Sequence, residues 1–181
     1  PRRVFSALWS VMVYSVLAHG AFGGGWLQAH GTLDFAGGVP VEMGSGFSAL
    51  AAALVVGARK DYGRQALLPH NAVYVLLGAG LLYFGWFGFN AGSALAANGA
   101  AALAFTNTLL APAAALAPWL TLDAARTGRA TAVGAAPPLV AGLGVVTPPP
   151  GSSSPLAAPL RPLFAPGPRA SLGGTFRLPL G

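Results

Sequence analysis

The sequence predicts an all-α integral membrane protein: a polytopic helical bundle with a proline-rich tail. Three observations predict it. The chain is 54% hydrophobic and only 8% charged, whereas a soluble domain carries about 25% charged residues. Apolar runs of bilayer length recur along it, each near the ~20 residues that cross a ~30 Å hydrocarbon core. The basic residues are confined to alternate connections between those runs, the pattern that the positive-inside rule demands of real spans.

The runs cover about 4–21, 39–57, 71–93 and 99–122. A fifth, about 130–146, contains Pro137 and Pro138, a pair expected to interrupt a helix because each lacks an N–H and its ring clashes with the preceding turn. Arg2 and Arg3 precede the first run, Arg59, Lys60 and Arg64 separate the second from the third, and Arg126 and Arg129 follow the fourth. The connections 22–38 and 94–98 hold no Lys or Arg. The expected topology places Pro1, the 58–70 loop and the 123–130 loop in the cytoplasm. The ends near Phe22, Asp34 and Ser93 then face outward.

Residues 1–147 are read as the membrane domain and 148–181 as a separate tail. Pro148, Pro149 and Pro150 open a segment without helical period, expected to be disordered or PPII-like and read as a non-native end. A proline-rich ligand for a partner domain is the competing reading of that tail. The chain starts at Pro1 without an initiator Met or a signal-peptide layout, and reads as a fragment.

The formal charge of +6 does not indicate nucleic acid, since the basic residues form short separated clusters and no stripe. With no cysteine there is no disulfide and no thiolate metal site. His19, His30 and His70 form no pair at metal-ligand spacing, and no hydrolase, Walker or dinucleotide motif is present. Neither an enzyme activity nor a cofactor is expected.

Function is concentrated in the third run. On a helix Gly85, Phe89 and Ser93 fall on one stripe, and Gly88 and Gly92 form a GxxxG notch beside it. A ring and a hydroxyl thus point together while the notch admits a neighbouring helix. Two acids lie in or beside apolar runs. Asp34 opens Asp-Phe-Ala-Gly-Gly, where it can cap the following helix or add negative potential at an outer mouth. Glu42 lies about one turn inside its run with no Lys or Arg in helical reach, and an ionisable group at that depth marks a functional site by default. It can trade protons or accept N–H donors from a passing solute. Phe22, at the outer end of the first run, can meet Phe89 above a pore, where ring faces attract a cation. An interfacial aromatic belt is the structural alternative for such rings, and suits Trp9, Trp26 and Trp119.

With these residues in place, the sequence resembles the ammonium transporter (Amt/Mep/Rh) family. The resemblance is carried by Ala18-His19 through Gly23-Gly24-Gly25, by His30-Gly31-Thr32-Leu33-Asp34-Phe35-Ala36-Gly37-Gly38, by Pro69-His70-Asn71, by Gly85 to Ala94 and by Asn98 to Asn107. It runs without obvious insertion from about Arg2 to Thr147. It implies an eleven-helix protomer of two inverted repeats, of which this chain covers helices four to eight, and a homotrimer in the cell membrane with one pore per subunit. It implies ammonium or ammonia as the solute, a recruitment site at Phe22 and Ser93 supported by Asp34, a pore gate at Phe89, and a proton relay at Glu42. Two departures stand out: Phe22 replaces the usual tryptophan of the recruitment ring, and Glu42 replaces the first pore histidine, as in a subset of fungal members. Proline also stands in place of small residues at Pro112, Pro118, Pro137 and Pro138. The expected function is ammonium transport; a non-transporting fragment and an ammonium sensor are the alternatives.

Overall fold

The computed structural model describes residues 2–60, 62–64, 70–148 and 151. The tail expected to be disordered falls, from 149 on and apart from Gly151, outside the described residues. Every regular element among the described residues is helical. Helix α1 (Arg2–Trp9) passes through a π-helical turn at Ser10–Tyr14 into α2 (Ser15–Phe22), and the short α3 (Trp26–Ala29) follows. A second π turn, Gly38–Met43, leads into α4 (Gly44–Val56). Then come α5 (Ala72–Gly92), α6 (Gly99–Thr127) and α7 (Ala132–Val146). Four stretches are long and apolar enough to cross a membrane: Arg3–Ala29, Gly38–Val56, Ala72–Gly92 and Gly99–Arg126. At 15 residues α7 is shorter than these, about 22 Å at 1.5 Å per residue.

Helix starts are fixed by short polar side chains. Asn71 Oδ1 accepts from the Tyr74 N–H at 3.1 Å, Asn98 Oδ1 from Ala101 at 3.0 Å, and Thr131 Oγ1 from Gly134 at 3.1 Å. Each occupies one of the four amides that a helix start leaves unbonded.

Helices α5, α6 and α7 pack on one another and hold the buried centre. Small side chains bring the backbones close: Ala104 and Ala111 are fully buried, and a Cβ on Gly142 would stand 2.8 Å from Pro112 Cα and 3.0 Å from the Ala111 carbonyl. Close approach of this kind replaces hydrophobic drive as the source of helix association in lipid. Pro137 and Pro138 do not interrupt α7, contrary to expectation. They lie in its second turn, where only the carbonyls of Val133 and Gly134 lose an intrahelical donor. Pro138, like Pro112 in α6, is fully buried as packing volume. By contrast Val55, Phe84 and Val4 are 88%, 79% and 64% exposed. Such outward faces suit lipid as solvent.

Helices α1–α2 lean on α4 through a hydrogen-bonded chain: Trp9 Nε1 donates to Ser48 Oγ at 2.7 Å, and Ser48 Oγ donates to the Gly44 carbonyl at 2.7 Å. Phe22, Gly37, Phe89 and Pro148 gather at one end of the bundle. Successive long helices therefore alternate in direction, as the charge pattern of the loops predicts.

Candidate functional site

The gathered end is organised by Asp34. Its Oδ1 accepts the N–H groups of Gly37 and Gly38 at 2.9 and 2.7 Å, and its Oδ2 accepts Val39 N–H at 2.7 Å. A carboxylate matched to three consecutive amides caps the Gly38–Met43 turn, and charge assistance makes each bond stronger than a neutral one. Pro40 falls in that first turn, where its missing N–H leaves no bond unmade. The capping reading of Asp34 thus describes its geometry, and the cap sets the position of Gly37.

Gly37 adopts φ +93, a left-handed conformation that favours glycine. A Cβ there would lie 3.9 Å from Phe22 Cζ, 3.9 Å from Phe89 Cζ and 3.4 Å from Val41 Cγ2. The tips of the two rings thus converge over a buried glycine with no side chain to close the gap. Phe22 and Phe89 remain 46% and 39% exposed. Ser93, the C-cap residue just after α5, donates its hydroxyl to the Phe89 carbonyl at 2.7 Å. Its proton is committed there, and both lone pairs of its oxygen stay available to a donor.

Below Phe89 a cavity of about 410 Å³ lies between the Gly38–Met43 turn and α5. Val41, Glu42, Leu81, Leu82, Gly85, Trp86 and Phe89 line it. Glu42 is the one ionisable side chain in an otherwise apolar wall broken only by the indole N–H. That N–H is used elsewhere: Trp86 Nε1 donates to Thr147 Oγ1 at 2.9 Å, and Thr147 Oγ1 donates to the Leu143 carbonyl at 2.8 Å. The Trp86 ring meets Phe89 edge-on with centroids 5.8 Å apart. Among the described residues the Glu42 carboxylate makes no hydrogen bond and no ion pair.

A second tie secures this wall. The Phe35 N–H donates to the Pro148 carbonyl at 2.7 Å, the Pro148 ring fills the space a Gly38 side chain would occupy, and Gly151 sits against the Phe35 ring. The end of α7 therefore holds the Asp34 turn through Pro148 and the α5 wall through Thr147.

Of the residues singled out in the sequence, Phe22, Asp34 and Phe89 converge around Gly37, and Glu42, Gly85 and Phe89 share the cavity. Ser93 sits one turn beyond Phe89 with its hydroxyl turned back to α5. The Gly88–Gly92 notch has nothing within 4 Å of either glycine's Cβ position, so no described residue fills it. Gly37, Trp86 and Thr147 were not singled out. The signal for Trp86 was local, three residues before Phe89 and hence on the same helical face.

These features define a multi-pass helical membrane protein with an apolar, single-acid cavity under a pair of aromatic rings. Residues 3–160 match the model of the Ammonium Transporter Family, so the chain belongs to that family. It is 48% identical over 145 residues to the ammonium transporter of Aquifex aeolicus, covering 80% of this chain and 34% of that protein. It is 45% identical over 155 residues to the ammonium transporter of Bacillus subtilis, covering 86% of this chain and 38% of that one. The crystal structure of Candida albicans Mep2 superposes with a TM-score of 0.82 at 36% identity, over 89% of this chain and 37% of Mep2. The chain thus spans little more than a third of the length of the relatives it matches.

Proposed function

We propose that this chain contributes the outer vestibule and upper pore of an ammonium transporter of the cell membrane. In this reading NH4+ is attracted at the outer end by the face of Phe22 and by the Ser93 oxygen, with Asp34 holding the turn beneath them. The cation loses a proton on entry and passes Phe89 as neutral NH3. Glu42 assists the proton transfer. No bond of the solute other than N–H changes, so the chain acts as a conduit and not as an enzyme. The bilayer is its solvent, and a homotrimer is its assembly.

The observation that carries the reading is the Glu42 carboxylate, without a partner among the described residues, on the same apolar cavity as Phe89. Apolar walls give a cation no compensation for lost water, whereas a neutral amine crosses them cheaply. A carboxylate with open lone pairs is placed to take or return the proton that separates the two species.

Methylammonium uptake into a transport-deficient strain tests this. The unmodified chain is expected to support uptake, and Glu42→Ala to lower it by an order of magnitude or more. Uptake unchanged by Glu42→Ala removes the relay role. No uptake from the unmodified chain leaves the alternative of a fragment that needs further helices to seal its lumen.

A further inference from the structure

The Glu42 carboxylate is lodged against the backbone of α7 at one residue. A Cβ built on Gly144 would stand 3.2 Å from Glu42 Oε2 and 3.8 Å from its Cδ. At the shorter distance the acid must give way to any side chain placed there. The glycines of α7 are not interchangeable in this respect. Gly134 faces Thr131 and Asp123 at the helix start, and Gly142 faces Pro112, Ala111 and Ala115 in the α6 interface. Gly144 alone of the three faces Glu42, and the carboxylate has no hydrogen-bonding partner among the described residues that would otherwise fix it.

We propose that Gly144 is a positioning residue for Glu42: the missing side chain leaves a niche in α7 that receives the carboxylate and keeps it at the cavity wall. Its functional meaning rests on the relay role of Glu42 given above; the niche itself does not. Held back in this way, the acid keeps an oxygen open to the cavity without its side chain crossing the space between Leu82, Trp86 and Phe89. A larger residue at 144 displaces the carboxylate toward those walls. A shorter acid at 42 no longer reaches the niche and becomes indifferent to what stands there.

The test is a double-mutant comparison read by chemical labelling. Membranes holding the unmodified chain, Gly144→Val, Glu42→Asp and the combined variant are treated with dicyclohexylcarbodiimide, and modification of residue 42 is timed by mass spectrometry. Gly144→Val is expected to raise the labelling rate at least threefold when Glu42 is present, and to leave it within twofold when Glu42→Asp is present. Equal ratios in the two backgrounds, or no change in either, overturn the niche. If Gly144→Val does not insert, Gly144→Ala carries the same comparison with a smaller expected ratio, because Ala asks the carboxylate to move only slightly. Methylammonium uptake by the same variants is scored separately. A labelling response together with uptake that Glu42→Ala leaves unchanged preserves the niche and removes the relay reading, whereas uptake that Glu42→Ala lowers, without a labelling response, does the reverse.

Discussion

The indole N–H of Trp86 donates to the hydroxyl of Thr147, 61 residues later in the chain, at 2.9 Å. This bond joins the cavity wall on α5 to the end of α7, and Thr147 is fully buried. Trp86→Phe keeps a ring and loses the donor; Thr147→Val keeps the shape and loses the acceptor. Each single change should cost about 1 kcal/mol of stability, in the usual range for a bond within a membrane bundle. The double variant should cost less than the sum. Thermal unfolding in detergent of all four proteins reads this, and strict additivity would show that the bond couples nothing.

Gly37 allows a sharper prediction. Gly37→Ala forces a methyl-bearing residue to φ +93 and sets that methyl against both ring tips, at a backbone cost of about 1–2 kcal/mol. Uptake of methylammonium should fall severalfold while the protein still reaches the membrane. An unaffected rate would mean that solute does not pass between Phe22 and Phe89.

At Asp34 the expected order is Asp34→Asn milder than Asp34→Ala. Asn retains one acceptor oxygen for Gly37 and Gly38 but turns an NH2 toward the Val39 N–H. Ala leaves all three amides open, each costing about 1–3 kcal/mol if no water reaches it. Limited proteolysis of membranes, followed at the 30–40 loop, should show cleavage rising in that order. Equal protection in both variants would show that the Pro148 tie alone holds the turn.

Topology is directly measurable because the chain has no cysteine. A single cysteine at Ala96 should react with a membrane-impermeant maleimide added outside intact cells, and one at Ala58 only after permeabilisation. The reverse pattern would invert the orientation argued from the loop charges.

Much of the architecture was legible because it depends on local facts. Span lengths and loop charges determine four long helices and their alternation without knowledge of which helix touches which. Asp34 was legible as a cap because its partners lie three to five residues away. Glu42 and Phe89 were legible as unusual residues, but their meeting on one cavity was not, since it requires the Gly38–Met43 turn to lie beside α5. Thr147 and Gly144 gave no local sign at all: one is a hydroxyl at a helix end, the other a glycine in a glycine-rich helix. Pro137 and Pro138 misled for the opposite reason. Their helix-breaking tendency is a rule of isolated helices, and here packing against neighbours overrides it.

The alternation of the four long spans and α7 has an energetic corollary. Its inner side, by the loop charges, carries Arg2, Arg3, Arg59, Lys60, Arg64, Arg126 and Arg129, whereas the loops 22–38 and 94–98 carry no basic residue. At about 1 kcal/mol for each basic residue near an anionic cytoplasmic leaflet, upside-down insertion is disfavoured by something on the order of 7 kcal/mol. On that balance each copy is expected to enter the bilayer the same way up, with the two aromatic rings over Gly37 facing one compartment. The sidedness of the ring pair is thus written in the loops, far from the rings themselves.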